Sequence, residues 1–485
     1  MALRHGRWEV SWRRLALGFA LCVLVMSTLI ITHLELSYNV LPAPVMSKLL
    51  WGAREADAHA LHVKDISTIV SSHGSLVNSS NWRTAGPRHG ADFVGDLPLA
   101  PPCDPRVPPG IPSWGNYGYI KRPSYINGSK NPCWKDADGD RVLLCIPYFF
   151  ILGVSKSGTS DLFHRISLHP DVVKTAKEPH FFARTRFSGF QAEQLEETLS
   201  PTKHGSYNFS HYVNFFDDVA ALVQYDLEIK GFSQAIAGDA SPSNFFDNNN
   251  WPMYAGNQGC TEPRVLAAHH ILHLNPKAKV IIIFRDPVER LYSRYLYYCG
   301  NRRSCYRTGV LGPLGFHRAV VDGLKRYRHC FRYWSLRHCA NKASLAKSVN
   351  PALRLQESIY FVFLKDWLRI VPRQQMHVIR FETYVRNMTS ELKSVYSFLG
   401  LRELSEATMR GITTLGVKNR GKFYRRGPML SETRRILRTF YQPFTRRFEW
   451  LLRKHDLLNR SSQNDETYDV IDNTLSRTDD VILKN

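Results

Sequence analysis

The sequence predicts an α/β fold with a central, mostly parallel sheet flanked by helices. Three observations lead there. Two continuous apolar runs, Tyr148–Leu152 (YFFIL) and Val280–Phe284 (VIIIF), have the length and composition of strands buried on both faces. Each is followed by a turn and then by a segment with helix-start chemistry. Further strands and helices alternate to Leu399, the pattern of a parallel sheet covered on both sides.

In chain order, regular structure becomes legible at Leu143. Tyr148–Leu152 is the first buried strand, and Gly153–Gly158 is a loop of mostly small residues. Thr159–Leu168 reads as a helix ended by His169-Pro170, because proline disfavours helical backbone in the residue before it. Val172–Thr175 reads as a second, short strand. Pro287, just after Val280–Phe284, suits the first turn of a helix running to about Tyr298. Gln375–Arg380 is another strand and Thr389–Leu399 another helix.

The flanking regions point to a compartment. The chain has 485 residues, 44% hydrophobic and 12% aromatic, which excludes collagen, low-complexity sequence and wholesale disorder. Leu15–Ile31 is an uncharged run behind Arg4, Arg7, Arg13 and Arg14. At 1.5 Å per residue it reaches about 25 Å, the short end of a bilayer span. A cleaved signal peptide is the alternative, but Ile30, Ile31 and Leu34 provide no small-residue cleavage site. The expected organisation is a cytosolic tail over 1–14, a transmembrane signal-anchor over 15–34, a Pro- and Gly-rich lumenal stem over 35–140, a catalytic domain over 141–460 and a C-terminal tail over 461–485. Basic residues ahead of the span place the N-terminus in the cytosol and the rest in the secretory lumen. Eight cysteines outside the span suit disulfides, and five sequons, at Asn78, Asn127, Asn208, Asn387 and Asn459, suit the same compartment. Of the possible disulfides, the local pairs Cys330–Cys339 and Cys299–Cys305 are favoured. A zinc site with His329 and His338 is the alternative for that cluster, disfavoured in an oxidising lumen.

Charge then suggests a partner. Against 42 Asp and Glu stand 64 Lys and Arg, a formal net charge of +22. Residues 285–338 carry twelve Lys or Arg against three acids, and residues 418–454 carry twelve against two. A lumenal protein with this excess is expected to meet an acidic glycan rather than nucleic acid.

Two loops carry the chemistry. Gly153-Val-Ser-Lys156-Ser157-Gly158-Thr159-Ser160 follows a buried strand and opens a helix, so its amides and the helix N-terminus form an anion site. Lys156 adds a point charge, and the Thr159 and Ser160 hydroxyls can donate. A nucleoside-triphosphatase loop would place Lys after the second Gly; here Thr159 stands there, so an ATPase or kinase is disfavoured. The second loop is Arg285-Asp286-Pro287, with Ser293 two turns along the next helix. Arg285 and Ser293 can share one phosphate. The plainer alternative is that Arg285 pairs with Asp286 or Glu289.

Lys156-Ser-Gly-Thr-Ser resembles the 5′-phosphosulfate loop of the sulfotransferases, and Phe284-Arg-Asp-Pro with Ser293 resembles their 3′-phosphate motif. Lys177-Glu178-Pro179-His180 resembles a segment of the glycosaminoglycan sulfotransferases. Within that group the chain is most similar to the N-acetylgalactosamine 4-sulfate 6-O-sulfotransferases. Gly238-Asp-Ala-Ser-Pro with Asp247–Trp251, Arg285–Tyr297, Ser335–Cys339, Arg354-Leu-Gln356 with Asp366-Trp367, and Gly427-Pro-Met429 with Phe440–Phe444 add to the likeness. It covers roughly residues 145–452. Ser157 and Ser160 stand where that type more often has Cys and Thr. Lys422 matches the Lys of a Lys-Gly-Arg loop, with Phe423 and Tyr424 replacing the other two residues.

The resemblance implies a P-loop-like sulfotransferase domain in a single-pass type II Golgi membrane protein. The donor would be 3′-phosphoadenosine 5′-phosphosulfate (PAPS), and the acceptor chondroitin- or dermatan-type glycosaminoglycan, at the 6-O of N-acetylgalactosamine 4-sulfate. Heparan sulfate 3-O transfer, or glycan binding without catalysis, are the alternatives. It implies that Glu178 is the base, that Lys156 stabilises the leaving oxygen, and that Lys156, Ser157, Gly158, Thr159, Ser160, Arg285, Ser293 and Lys422 hold the donor. Lys177, His180, Asp247 and Trp251 would serve the acceptor, with His180 also orienting or tuning Glu178. The scheme needs no metal. A glycosyltransferase would need an Asp-x-Asp metal site; Asp136-Ala-Asp138-Gly-Asp140 precedes the first core strand and reads as a turn.

Overall fold

A computed structural model describes residues 120–135, 143–184, 208–254, 256–257, 259–301, 312–350, 352–418 and 427–458. All of these belong to one compact unit. The expected span over 15–34, most of the stem, the turn at 136–140 and the tail over 461–485 lie outside the described residues.

Strands β1 (Cys133–Lys135) and β2 (Leu143–Cys145) form an antiparallel hairpin in which Cys133 faces Cys145 and is disulfide-bonded to it. The central sheet holds β3 (Phe149–Gly153), β4 (Gly238–Asp239), β5 (Lys279–Phe284) and β6 (Met376–Arg380), in the order β4-β3-β5-β6 with every pairing parallel. The uninterrupted apolar runs have a simple cause: successive side chains point to opposite faces, and both faces are covered. Phe150, Leu152, Val280, Ile282 and Phe284 enter one buried cluster, and Phe149, Ile151, Ile281 and Ile283 enter the other.

The smaller face is covered by α1 (Thr159–Ile166), through Leu162, Phe163 and Ile166, and by a helix over Met388–Leu399. The larger face is covered by α2 (Asp217–Lys230), α3 (Ala267–Leu274), α4 (Pro287–Asn301), α5 (Pro313–Tyr333) and α6 (Tyr360–Ile370). There α8 (Ser431–Lys454), which follows the Met388–Leu399 helix α7, packs along α6. Among the described residues no helix is long and apolar enough to cross a membrane.

The expected strands and helices appear with ends shifted by a few residues. Val172–Thr175 does not form a strand: Val172 makes an isolated parallel bridge to Ile236. The edge strand is instead β4, only two residues long. Its Gly238 lies against Phe149, whose ring would sit 2.2 Å from any Cβ at that position. The ordered domain also begins ahead of residue 141. Ile120, Tyr125, Ile126 and Trp134 pack on the larger core, and the Tyr125 hydroxyl donates to the Leu274 carbonyl at 2.7 Å.

Candidate active site

The phosphate loop leaves β3 and turns into α1 through Gly158, whose φ of +84° is left-handed backbone suited to glycine. A Cβ there would come within 3.0 Å of the Phe381 ring. Ser157 is buried, and its Oγ has no hydrogen-bond partner among the described residues. A buried hydroxyl without a partner at a helix N-terminus suits an incoming anion, so the loop fits the phosphosulfate of PAPS. Lys156 also has positive φ, at +71°. Its Nζ lies 3.9 Å from the centroid of the Tyr297 ring. Burial, and then the nearby Arg294 and Arg285, lower its pKa to about 8. Among the described residues no carboxylate is in ion-pair contact with it.

Arg285 leaves β5 beside this loop and donates from Nη1 to the Lys156 carbonyl at 3.1 Å, with its guanidinium 4.8 Å over the Phe381 ring. The sequence left open whether Asp286 or Glu289 neutralises it. Asp286 Oδ1 instead accepts from the Val288 and Glu289 amides at 2.9 and 2.8 Å, capping α4. Glu289 pairs with Arg434. Among the described residues Arg285 thus has no carboxylate within ion-pair distance, Glu382 being the nearby acid that feels its charge, and Ser293 stands half-buried two turns along α4.

Residues 176–184 run beside the sheet's edge and carry the carboxylate. Glu178 pairs with Lys177, and His180 Nε2 approaches its Oε2 at 3.3 Å. His180 Nδ1 lies 2.6 Å from Ser243 Oγ, and the His180 amide donates to Ser241 Oγ at 2.8 Å. Burial and then Arg184 lower the His180 pKa to about 3, so the ring is neutral at pH 7. The two ring nitrogens thus face Glu178 Oε2 on one side and Ser243 Oγ on the other. Lys177 is lowered to about 7, chiefly by burial. Glu178 and His180 have φ of +68° and +53°. Together with Lys156, three of the five non-glycine residues with positive φ among the described residues are thus candidate site residues, and such strain persists only where the surroundings impose it.

Both loops are pinned by one turn. The Phe245 amide donates to Leu152 at 3.0 Å, the Asp247 amide to Ser243 at 2.8 Å, and a Cβ on Gly153 would meet the Pro242 carbonyl at 3.1 Å. Residues 241–247 thus hold His180 on one side and abut the base of the phosphate loop on the other. Buried Asp239 underpins the turn, accepting from Tyr212 at 2.9 Å and from the Ser241 amide at 2.9 Å.

Asp247 and Trp251, expected at the acceptor, are buried and engaged within the protein. Asp247 Oδ2 accepts from Arg184 Nε at 2.6 Å and Arg354 Nη1 at 2.9 Å. Burial would raise this carboxyl, but the two guanidiniums overcome that and hold it well below the usual range. Trp251 Nε1 donates to the Asn341 carbonyl at 3.2 Å. Asp247 can thus act through Arg184 and Arg354; Arg354, Asp239 and Tyr297 lie in segments that carry the resemblance, whereas Arg184 and Ser243 lie outside them. Isolated residues such as Arg184 and Ser243 carry no spacing signal.

Lys422 lies outside the described residues, as do Asn78, Asn459 and Cys305. Lys418, where that basic loop begins, is described: its amide donates to Asp161 Oδ1 at 2.8 Å, on the first turn of α1. Cys330 is disulfide-bonded to Cys339, as expected, and Cys260 and Cys299 are each in a disulfide as well. Asn127, Asn208 and Asn387 are exposed. Among the described residues no three His, Cys, Asp or Glu gather as a metal site.

Human carbohydrate sulfotransferase 15 is 34% identical to this chain over 319 residues, covering 64% of the chain and 54% of that protein. Mouse heparan sulfate glucosamine 3-O-sulfotransferase 3B1 is 24% identical over 322 residues, covering 62% of each. A sulfotransferase structure from Alicyclobacillus acidocaldarius aligns at a TM-score of 0.41 and 23% identity, covering 64% of this chain and 96% of that one. The chain spans about half the length of the carbohydrate sulfotransferase 15 relatives it matches. Residues 147–425, more than half of the chain and the stretch holding both anion loops and the Glu178 segment, match the sulfotransferase domain family. The chain therefore belongs to the sulfotransferase family.

Proposed function

We propose that this protein transfers a sulfuryl group from PAPS to a hydroxyl of a glycosaminoglycan, at the 6-O of N-acetylgalactosamine 4-sulfate in chondroitin or dermatan sulfate. It would do so as a type II membrane protein of the Golgi with its catalytic domain in the lumen. What carries the reading is the bond from Arg285 to the Lys156 carbonyl. It joins the two anion loops, and among the described residues neither cation is paired with a carboxylate. The likeness to carbohydrate sulfotransferase 15 supports the acceptor class.

In this reading PAPS supplies the activated sulfuryl group. The loop amides, Ser157, Thr159 and Ser160 hold its 5′ phosphate, and Arg285 and Ser293 grip the 3′ phosphate. The acceptor oxygen bonds to sulfur as the bridging sulfur–oxygen bond breaks. The hydroxyl proton passes to Glu178, and the electron pair stays on the phosphate oxygen next to Lys156. Glu178 is oriented by the neutral His180, itself held by Ser243. Groups already aimed at the developing charge need little reorganisation, which is the main source of such catalysis.

The test is transfer of labelled sulfate from PAPS by the purified protein to chondroitin, chondroitin 4-sulfate, dermatan sulfate and heparan sulfate, followed by disaccharide analysis. A doubly sulfated N-acetylgalactosamine product is expected. Label confined to heparan would replace the acceptor with the 3-O reading, which the likeness to the mouse enzyme favours. Binding of PAPS and chains without transfer to any would leave only a glycan-binding role.

A further inference from the structure

We propose that Arg184 and Arg354, with the phenol of Tyr298, form a second oxyanion site next to the Glu178 loop. It would take an anionic group already on the acceptor, a sulfate ester or a uronate carboxylate. This rests on the acceptor class proposed above and adds how the chain is recognised.

The geometry begins with an imbalance. Arg184 bonds Asp247 Oδ2 through both Nε and Nη2, each at 2.6 Å, and Arg354 Nη1 bonds the same oxygen at 2.9 Å. One carboxylate thus meets two guanidiniums and neutralises one. Arg184 Nη1 and Arg354 Nε and Nη2 are left without a protein acceptor among the described residues. The pair is also asymmetric in exposure. The Asp247 side chain is 2% exposed, while those of Arg184 and Arg354 are 18% and 24% exposed. A purely structural ion pair would need one arginine, buried like its partner. Here the carboxylate lies beneath and presents two cationic forks outward.

The surroundings deepen the surplus. Behind Arg354, Glu357 is shared by Arg290 at 3.1 Å and Arg294 at 3.3 Å, again one carboxylate for two guanidiniums. Arg294 stacks 4.1 Å over the Tyr298 ring. Arg294 first, against burial, and then Arg354 and Arg184 pull the Tyr298 phenol below its ordinary pKa, which makes it a stronger donor to an anion. Arg354 has a φ of +41°. Its loop is held by Tyr441 to the Leu355 carbonyl at 2.9 Å and Tyr327 to Gln356 at 2.8 Å. A strained residue fixed by its neighbours is pre-organised rather than mobile.

Position ties the site to the acceptor. The Arg184 amide donates to the His180 carbonyl at 2.9 Å, one turn beyond Glu178. The turn that carries Asp247 also carries Ser243, the partner of His180. An anion held there would set the acceptor sugar's position relative to the base. Guanidinium forks suit sulfate and carboxylate oxygens alike.

The experiment compares binding of chondroitin 4-sulfate and unsulfated chondroitin oligosaccharides to the full chain, for wild type, Arg184→Gln and Tyr298→Phe. The desulfated donor, 3′-phosphoadenosine 5′-phosphate, serves as a control for folding. Arg184→Gln is expected to weaken binding about ten- to hundredfold and Tyr298→Phe about three- to tenfold, with desulfated-donor affinity retained. Loss confined to the sulfated chain assigns the anion as sulfate, and equal loss on both assigns the uronate. Unchanged oligosaccharide binding in both variants overturns the site while leaving the proposed function standing. A wild type that binds neither donor nor oligosaccharide overturns both.

Discussion

The donor and acceptor sides of this site are held in place by different means. On the donor side, Lys156 and Arg285 lie just past the ends of two adjacent parallel strands, and their positions follow from the sheet. On the acceptor side, Glu178 stands in an irregular segment fixed by side chains reaching across 60 or more residues: Ser243 to His180, Ser241 to the His180 amide, and Asp247 to Arg184. Backbone ladders make the first arrangement general to this fold. A side-chain network makes the second alterable one residue at a time, which is how one donor chemistry can serve different acceptors.

The sharpest way to break that comparison is Glu178→Gln. Transfer should fall by about 10²–10⁴-fold, the range of a lost general base, while calorimetry shows desulfated donor still bound normally; near-normal turnover would remove Glu178 from its role. Lys156→Ala strikes the donor side instead, and a loss of about 10²–10³-fold in kcat is expected from a missing charge at the leaving oxygen. If single-turnover rates stay normal, the phosphate loop has been assigned wrongly. Arg285→Ala should raise the donor KM at least about tenfold, the scale of a charged hydrogen bond, with acceptor KM little changed; a shift in the acceptor constant alone would move Arg285 to the other side.

Proton linkage sharpens the comparison further. With its pKa lowered to about 8, Lys156 is charged below that value and neutral above it. A bound dianion favours the charged form, so desulfated-donor affinity should be flat at lower pH and fall above pH 8, approaching about tenfold per unit. Affinity unchanged to pH 9.5 would mean that Lys156 does not face the phosphate. The smallest effect is expected from Ser243→Ala, which removes the hydrogen bond on His180 Nδ1. A fall of about three- to tenfold in kcat with unaltered donor KM is the signature of a positioning residue; a change in donor affinity would show that the two sides are not separable.

What was legible in the sequence follows the same division. YFFIL and VIIIF announced buried parallel strands because both faces of each are covered, and the small residues and Lys156 after the first announced an anion loop. The two-residue strand Gly238–Asp239 escaped notice because nothing so short has a period. Val172–Thr175 looked like a strand, since a β-branched pair resembles one, yet only Val172 pairs. Glu178 and His180 were found only through the likeness of a four-residue segment. Arg184 and Ser243 carried no signal, and Arg354 only its place in the Arg354-Leu-Gln356 segment of the likeness.

Amino-acid order was thus sufficient for the architecture and for the strand–loop–helix at Lys156, because hydrophobic periodicity and short-range backbone geometry are local properties. Which carboxylate neutralises which guanidinium was settled by packing. Asp286 turned out to cap a helix rather than pair with Arg285, and Asp247 to sit buried beneath two arginines. Such pairings depend on distances between residues far apart in the chain, and these exist only after the sheet and its covering helices have closed around them.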